Sequence, residues 1–87
     1  MGGAVDEHLG KRLLARRRSL GLTQEQLAAP IGVRFQQIQK YECGASKMSA
    51  VRVWELAQAL QVPVSYFFEG LSPKPDLRPD AGARRAA

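Results

Sequence analysis

The sequence predicts an all-α domain of five short helices, the second and third joined by a tight turn. Three observations predict it: leucines recurring at helical rather than strand spacing, helix-start signals at Thr23 and Ser49, and glycines at Gly21, Gly32 and Gly44 that punctuate the periodic runs. At 87 residues the chain has room for one domain with a core of modest size.

The first predicted helix covers residues 6–19, after a short flexible arm at residues 1–5 opened by Gly2-Gly3. Leu9, Leu13 and Leu20, with Leu14 beside them, supply its apolar side. The opposite side carries Lys11, Arg12, Arg16 and Arg18, which fits either a solvated face or one lying near phosphates. Thr23 opens the second helix, because its hydroxyl can accept from the backbone N–H three residues on while Gln26 reaches back to close a capping box. Leu27, Ala28 and Ile31 point to the core. Pro30 lacks the N–H for the bond back to Gln26, so an end near Ala29 or a local distortion is expected.

The third helix runs from Phe35 to Cys43 with Ile38 and Tyr41 on one side, and Gly44 stops it. Ala28 is small enough for the second and third helices to cross closely, Gly32 turns the chain, and Val33 and Ile38 close the space between them. This is the order of a helix-turn-helix, whose second helix enters the major groove of DNA. Ser49 caps a fourth helix with Val53, Leu56, Ala57 and Leu60 as its inner stripe and Trp54 expected to cover the core edge. Pro63 precedes a fifth, Val64 to Phe68. Tyr66-Phe67-Phe68 is more aromatic surface than one short helix hides, so Phe67 is expected in the core and Val64, Tyr66 and Phe68 at a homodimer interface. The stretch from 71 to 87 loses the apolar period and reads as a disordered tail, in which Arg78, Arg84 and Arg85 add solubility or non-specific attraction to DNA.

Composition narrows the function. Thirteen Lys and Arg against eight Asp and Glu give a net charge of +5, which favours a polyanionic partner. Cys43 is the only cysteine and His8 the only histidine, so the sequence offers no disulfide, no cysteine-based metal site and no paired catalytic base. Cys43 reads as a helix-end side chain and His8 as a solvated one. The expectation is no enzyme, no cofactor, no membrane span and a cytoplasmic location.

Leu9-Gly10-Lys11-Arg12-Leu13, Gly21-Leu22-Thr23-Gln24-Glu25-Gln26-Leu27-Ala28, Ile38 with Tyr41-Glu42-Cys43-Gly44, and Leu56-Ala57-Gln58-Ala59-Leu60-Gln61-Val62 together resemble the Cro/repressor-type, or XRE, helix-turn-helix regulators. The likeness covers about residues 6–70 and implies a compact lambda-repressor-like domain. It further implies a homodimer that binds double-stranded DNA at a palindromic operator and regulates transcription, more readily as a repressor than as an activator. The role of base reading falls on Phe35, Gln36 and Lys40, with Gln37 the next candidate. Phe35 has a second reading, as a ring packed on the second helix. Phosphate contacts fall on Gln24, Gln39, Ser46 and Lys47, and on Arg34 where relatives carry a Ser or Thr cap. Cys43 and Ala45 stand where many relatives place polar or basic side chains, which thins the phosphate clamp. The resemblance also implies an ion pair between Arg17 and Glu42 that fixes the third helix. The alternative to an operator-binding regulator is an antitoxin-type interaction module that grips a protein partner and also binds its own operator.

Overall fold

The computed structural model describes residues 3–71, and the predicted tail beyond them, with Arg78, Arg84 and Arg85, lies outside the described residues. These residues form four α-helices, α1 (Ala4–Ser19), α2 (Gln24–Ile31), α3 (Phe35–Glu42) and α4 (Ala50–Leu60), and no strand. Where a fifth α-helix was expected, Val64–Phe68 winds as a 3-10 helix instead. Five residues between Pro63 and an extended Glu69 are too few to establish the wider α-helical ladder. None of the described helices is long and apolar enough to cross a membrane.

The helix ends follow local chemistry. α1 starts at Ala4, two residues earlier than expected, because the Asp6 carboxylate accepts from the Gly3 backbone N–H at 3.0 Å and caps the turn. The Gly3 N–H contributes to holding the Asp6 carboxyl below its ordinary value. At α2 the reciprocal capping box is present, with the Gln26 N–H donating to Thr23 Oγ1 at 3.0 Å and the Thr23 N–H to Gln26 Oε1 at 2.8 Å. Pro30 does not end α2. It occupies the last turn on an exposed side, where one missing intrahelical bond is tolerated, and the helix closes at Gly32 with φ +81°.

One core joins all of these elements. Leu9 and Leu13 of α1, Leu27 and Ala28 of α2, Ile38 and Tyr41 of α3, Val53, Leu56, Ala57 and Leu60 of α4, and Phe67 are buried together. Phe67 fills the centre as expected. Leu20 is displaced from the predicted stripe: it caps α1 at the surface, 40% exposed. Trp54 also departs from expectation at 57% exposed, in an open groove with Pro30, Ile31, Glu55, Gln58 and Ala59.

Gly10 sets the distance between α1 and α3. A Cβ there would overlap the Tyr41 carbonyl oxygen and stand 2.7 Å from that of Glu42, so only glycine lets the two helices meet this closely.

Candidate nucleic-acid interface

α3 presents one buried and one open side. Ile38 and Tyr41 lie in the core, while Gln36, Gln39 and Lys40 are exposed opposite them and Phe35, 37% exposed, stands at the helix start. Among the described residues, no side-chain hydrogen bond or ion pair engages Arg34, Gln36, Gln37, Gln39 or Lys40. Five polar or charged groups thus stay available to an outside partner. Gln37 is half-buried on the flank that faces the loop after α3.

The inner end of α3 is fixed by an ion-pair network. Glu42 accepts from Arg17 Nε at 2.5 Å and Nη2 at 3.0 Å, and from Gln24 Nε2 at 2.9 Å, while Arg17 Nη1 donates to the Leu22 carbonyl at 2.7 Å. The bond to Glu42 raises the Arg17 pKa above its ordinary value. Both side chains are nearly closed to solvent, at 11% for Arg17 and 6% for Glu42. One carboxylate therefore ties α1, the start of α2 and the end of α3 into a single unit. Such a pair contributes more to orientation than to net stability, since desolvation offsets much of the attraction. From the start of α2, Gln24 thus braces the end of α3.

Beside α3 lies an open hollow lined by Val33, Arg34, Gln36, Gln37, Lys40 and Tyr41, together with Ser46 and Lys47 of the following loop and Arg52 of α4. Lys47 is 83% exposed and rests 3.3 Å from the Asp6 carboxylate. The sequence reading missed Arg52. It sits one residue before the buried Val53 on α4, and only the folded chain brings that position to the side of α3. A second open patch, formed by Glu25, Ala28, Ala29, Val33, Arg34, Phe35 and Gln36, borders the other flank, so the Phe35 ring stands between α2 and open solvent.

Several basic residues of α1 are committed inside the chain. Arg12 donates to the Tyr66 carbonyl at 2.8 Å and to Glu69 Oε1 at 2.9 Å, and its guanidinium lies 3.8 Å from the Tyr66 ring centroid. Arg16 donates to the Leu60 carbonyl at 3.0 Å. Of the two readings of this face, neither a solvated surface nor a phosphate contact describes these two arginines. His8 departs from the solvated reading as well, being half-buried with Nε2 2.8 Å from the Glu69 carbonyl oxygen. Tyr66 donates its hydroxyl to the Arg12 carbonyl at 2.9 Å and is half-buried, so it bonds within the chain, whereas Val64 and Phe68 remain outward at 36% and 44% exposure. Cys43 is exposed at the end of α3, as expected.

Comparison with known proteins agrees with this geometry. The helix-turn-helix family model HTH_3 matches residues 13–67. An uncharacterized transcriptional regulator in the ATPase CF(0) region of Rhodospirillum rubrum is 55% identical over 67 residues, 77% of this chain and 62% of that protein. An uncharacterized HTH-type regulator of Sinorhizobium medicae is 49% identical over 65 residues, 75% of this chain and 47% of its own length. The chain therefore spans less than two thirds of either relative. Among solved structures, the restriction-modification controller protein C.AhdI from Aeromonas hydrophila aligns with a TM-score of 0.71 and 32% identity, over 75% of this chain and 94% of that one. The P22 c2 repressor, solved in complex with a synthetic operator, aligns at 0.66 and 29% identity, over 71% of this chain and 94% of its own. With more than half of its length matched by the family model, the chain belongs to the XRE-type helix-turn-helix family of transcriptional regulators.

Proposed function

We propose that this protein binds a palindromic operator in double-stranded DNA as a homodimer and represses transcription there. The observation that carries the reading is the open side of α3. Gln36, Gln39 and Lys40 are exposed and unengaged among the described residues, on a helix whose other end is locked by Arg17, Gln24 and Glu42. A short helix with a rigid base and free polar side chains suits insertion into the major groove. In that setting Gln36 pairs with adenine N6 and N7, Lys40 reaches guanine O6 or N7, and Phe35 lies against thymine methyl groups. Gln37, from its half-buried flank, reads an adjoining base edge. Arg34, Gln39, Ser46 and Lys47, with Gln24 at the start of α2, take backbone phosphates and set the register.

Two copies related by a two-fold axis would present two such helices about one DNA turn apart, which is what a palindromic site requires. The exposed Val64 and Phe68 supply apolar surface for that contact. Repression follows from occlusion, since a small dimer over a promoter needs no added surface for polymerase.

Selection of bound sequences from a random duplex library, at one fixed salt concentration, tests the reading. The wild type should enrich a palindrome, and the double variant Gln36→Ala, Lys40→Ala should lose or relax it. No enriched motif, or the same motif from both proteins, would count against it and turn the search toward a protein partner.

A further inference from the structure

We propose that Arg52 is a DNA phosphate ligand, the α4 side of an anion site built with Ser46 and Lys47 against the flank of α3. This rests on the DNA-binding reading above and extends it to a residue outside the turn and the reading helix. The hollow beside α3 is lined by four cationic side chains, Arg34, Lys40, Lys47 and Arg52, and by no carboxylate. Its charge therefore matches a polyanion rather than a neutral or acidic ligand. Arg34 and Lys40 come from the start and body of α3, Ser46 and Lys47 from the loop after it, and Arg52 from α4.

Arg52 is better placed than its neighbour Lys47 to define where the phosphate sits. Lys47 hangs from a loop at 83% exposure. Arg52 follows the Ser49 cap of α4, its own N–H donating to Ser49 Oγ at 3.0 Å, and immediately precedes the buried Val53. Its backbone is thereby fixed to the core, and its side chain is only 26% exposed. A planar guanidinium with a fixed root gives two parallel donors to one phosphate, which a lysine does not. In the free protein one of these nitrogens rests 3.3 Å from Glu55 Oε1 on the same helix. That contact is long for a charge-assisted hydrogen bond, so a phosphate oxygen can displace it. Lys47 has the equivalent arrangement with Asp6 at 3.3 Å. Each of these two cations is held loosely by a carboxylate that is not among the residues lining the hollow.

A phosphate ligand positions the protein without reading sequence, which separates its signature from that of Gln36 and Lys40. The test measures binding of wild type, Arg52→Ala and Arg52→Lys to the library-selected duplex and to a scrambled duplex across a salt series, with thermal melts confirming that each variant folds. Arg52→Ala should weaken both duplexes by the same factor, about tenfold, and flatten the dependence of log affinity on log salt by about 0.9. Arg52→Lys should keep the wild-type salt slope and lose only part of the affinity. A folded Arg52→Ala protein with wild-type affinity and slope overturns the proposal. So does one that loses discrimination between the two duplexes, since that behaviour belongs to a base reader. If the wild type itself binds neither duplex, the DNA reading falls and this proposal with it.

Discussion

Replacing Gly10 with alanine tests whether the approach of α1 to α3 is as close as the structure has it. Built on the existing backbone, the new Cβ would lie 2.7 Å from the Glu42 carbonyl oxygen and closer still to that of Tyr41, where ordinary contact begins at 3.4 Å. The helices must part by about 0.7 Å at the first atom and by more at the second, and both obstacles are backbone, so no rotamer change relieves them. Overpacking of this kind costs about 3 kcal/mol, at the upper end of its usual range. Alanine's better helix propensity returns about 1 kcal/mol. The net loss is then about 2 kcal/mol, which for a domain of this size lowers Tm by roughly 8–16 °C. A thermal melt followed by far-UV circular dichroism reads this directly. Gly3→Ala separates crowding from capping, because a Cβ at Gly3 meets nothing within 4 Å and its cost is only that of a poorer N-cap for α1, about 1 kcal/mol. A Gly10→Ala protein that melts at or above the wild type would refute the reasoning, since propensity alone would then govern the site.

Among the described residues, removing the shared acceptor Glu42 leaves Arg17 with the Leu22 carbonyl as its remaining partner. Glu42→Ala should therefore destabilise by about 3 kcal/mol, seen in urea as a lower midpoint at unchanged slope. Acid should act on the start of α1. The Asp6 carboxyl is held below its usual 3.8, first by the Gly3 N–H and then by Lys47, so its contribution is fully present above that value and is lost as pH falls through the lower folded-state value. The Tm difference between wild type and Asp6→Ala should accordingly be steady near neutral pH and close below about pH 4. A difference that persists unchanged into stronger acid would show that the cap does not depend on the charge.

What the sequence made legible was local. The Thr23 box, the Ser49 cap and the glycines at positions 32 and 44 each carry their signal within four residues, and each appears where it was read. The end of α4 was less visible, because Gln61 adopts the left-handed conformation at φ 58° in a place where glycine is usual. Pro30 misled for a physical reason: the rule that proline breaks helices concerns the interior, and here the residue sits in the last turn beside water. Gly10 gave no signal of its own, since its demand for space comes from carbonyls more than thirty positions away. The same distance in sequence hid Arg52, and hid the bracket in which Arg12, His8 and Tyr66 hold the 3-10 helix onto α1.

That bracket changes what the net charge of +5 means for binding. The arginine-rich run of α1 is the most conspicuous basic feature of the sequence, and a charge-based argument assigns it to the nucleic acid. In the fold, Arg12, Arg16 and Arg17 donate to Tyr66, Leu60 and Glu42. Their positive charge is placed where carbonyls and carboxylates already meet it. The cations that line the hollow beside α3 are instead single residues from separate parts of the chain: Arg34 before α3, Lys40 within it, Lys47 in the loop and Arg52 on α4. They converge only because α1 anchors α3 through Glu42 and the core anchors α4 through Val53 and Leu56. Arg12, Arg16 and Arg17 thus serve the interface indirectly: they tie α1 to the segments that carry or support its cations, and a substitution among these three should be judged first by its effect on the fold.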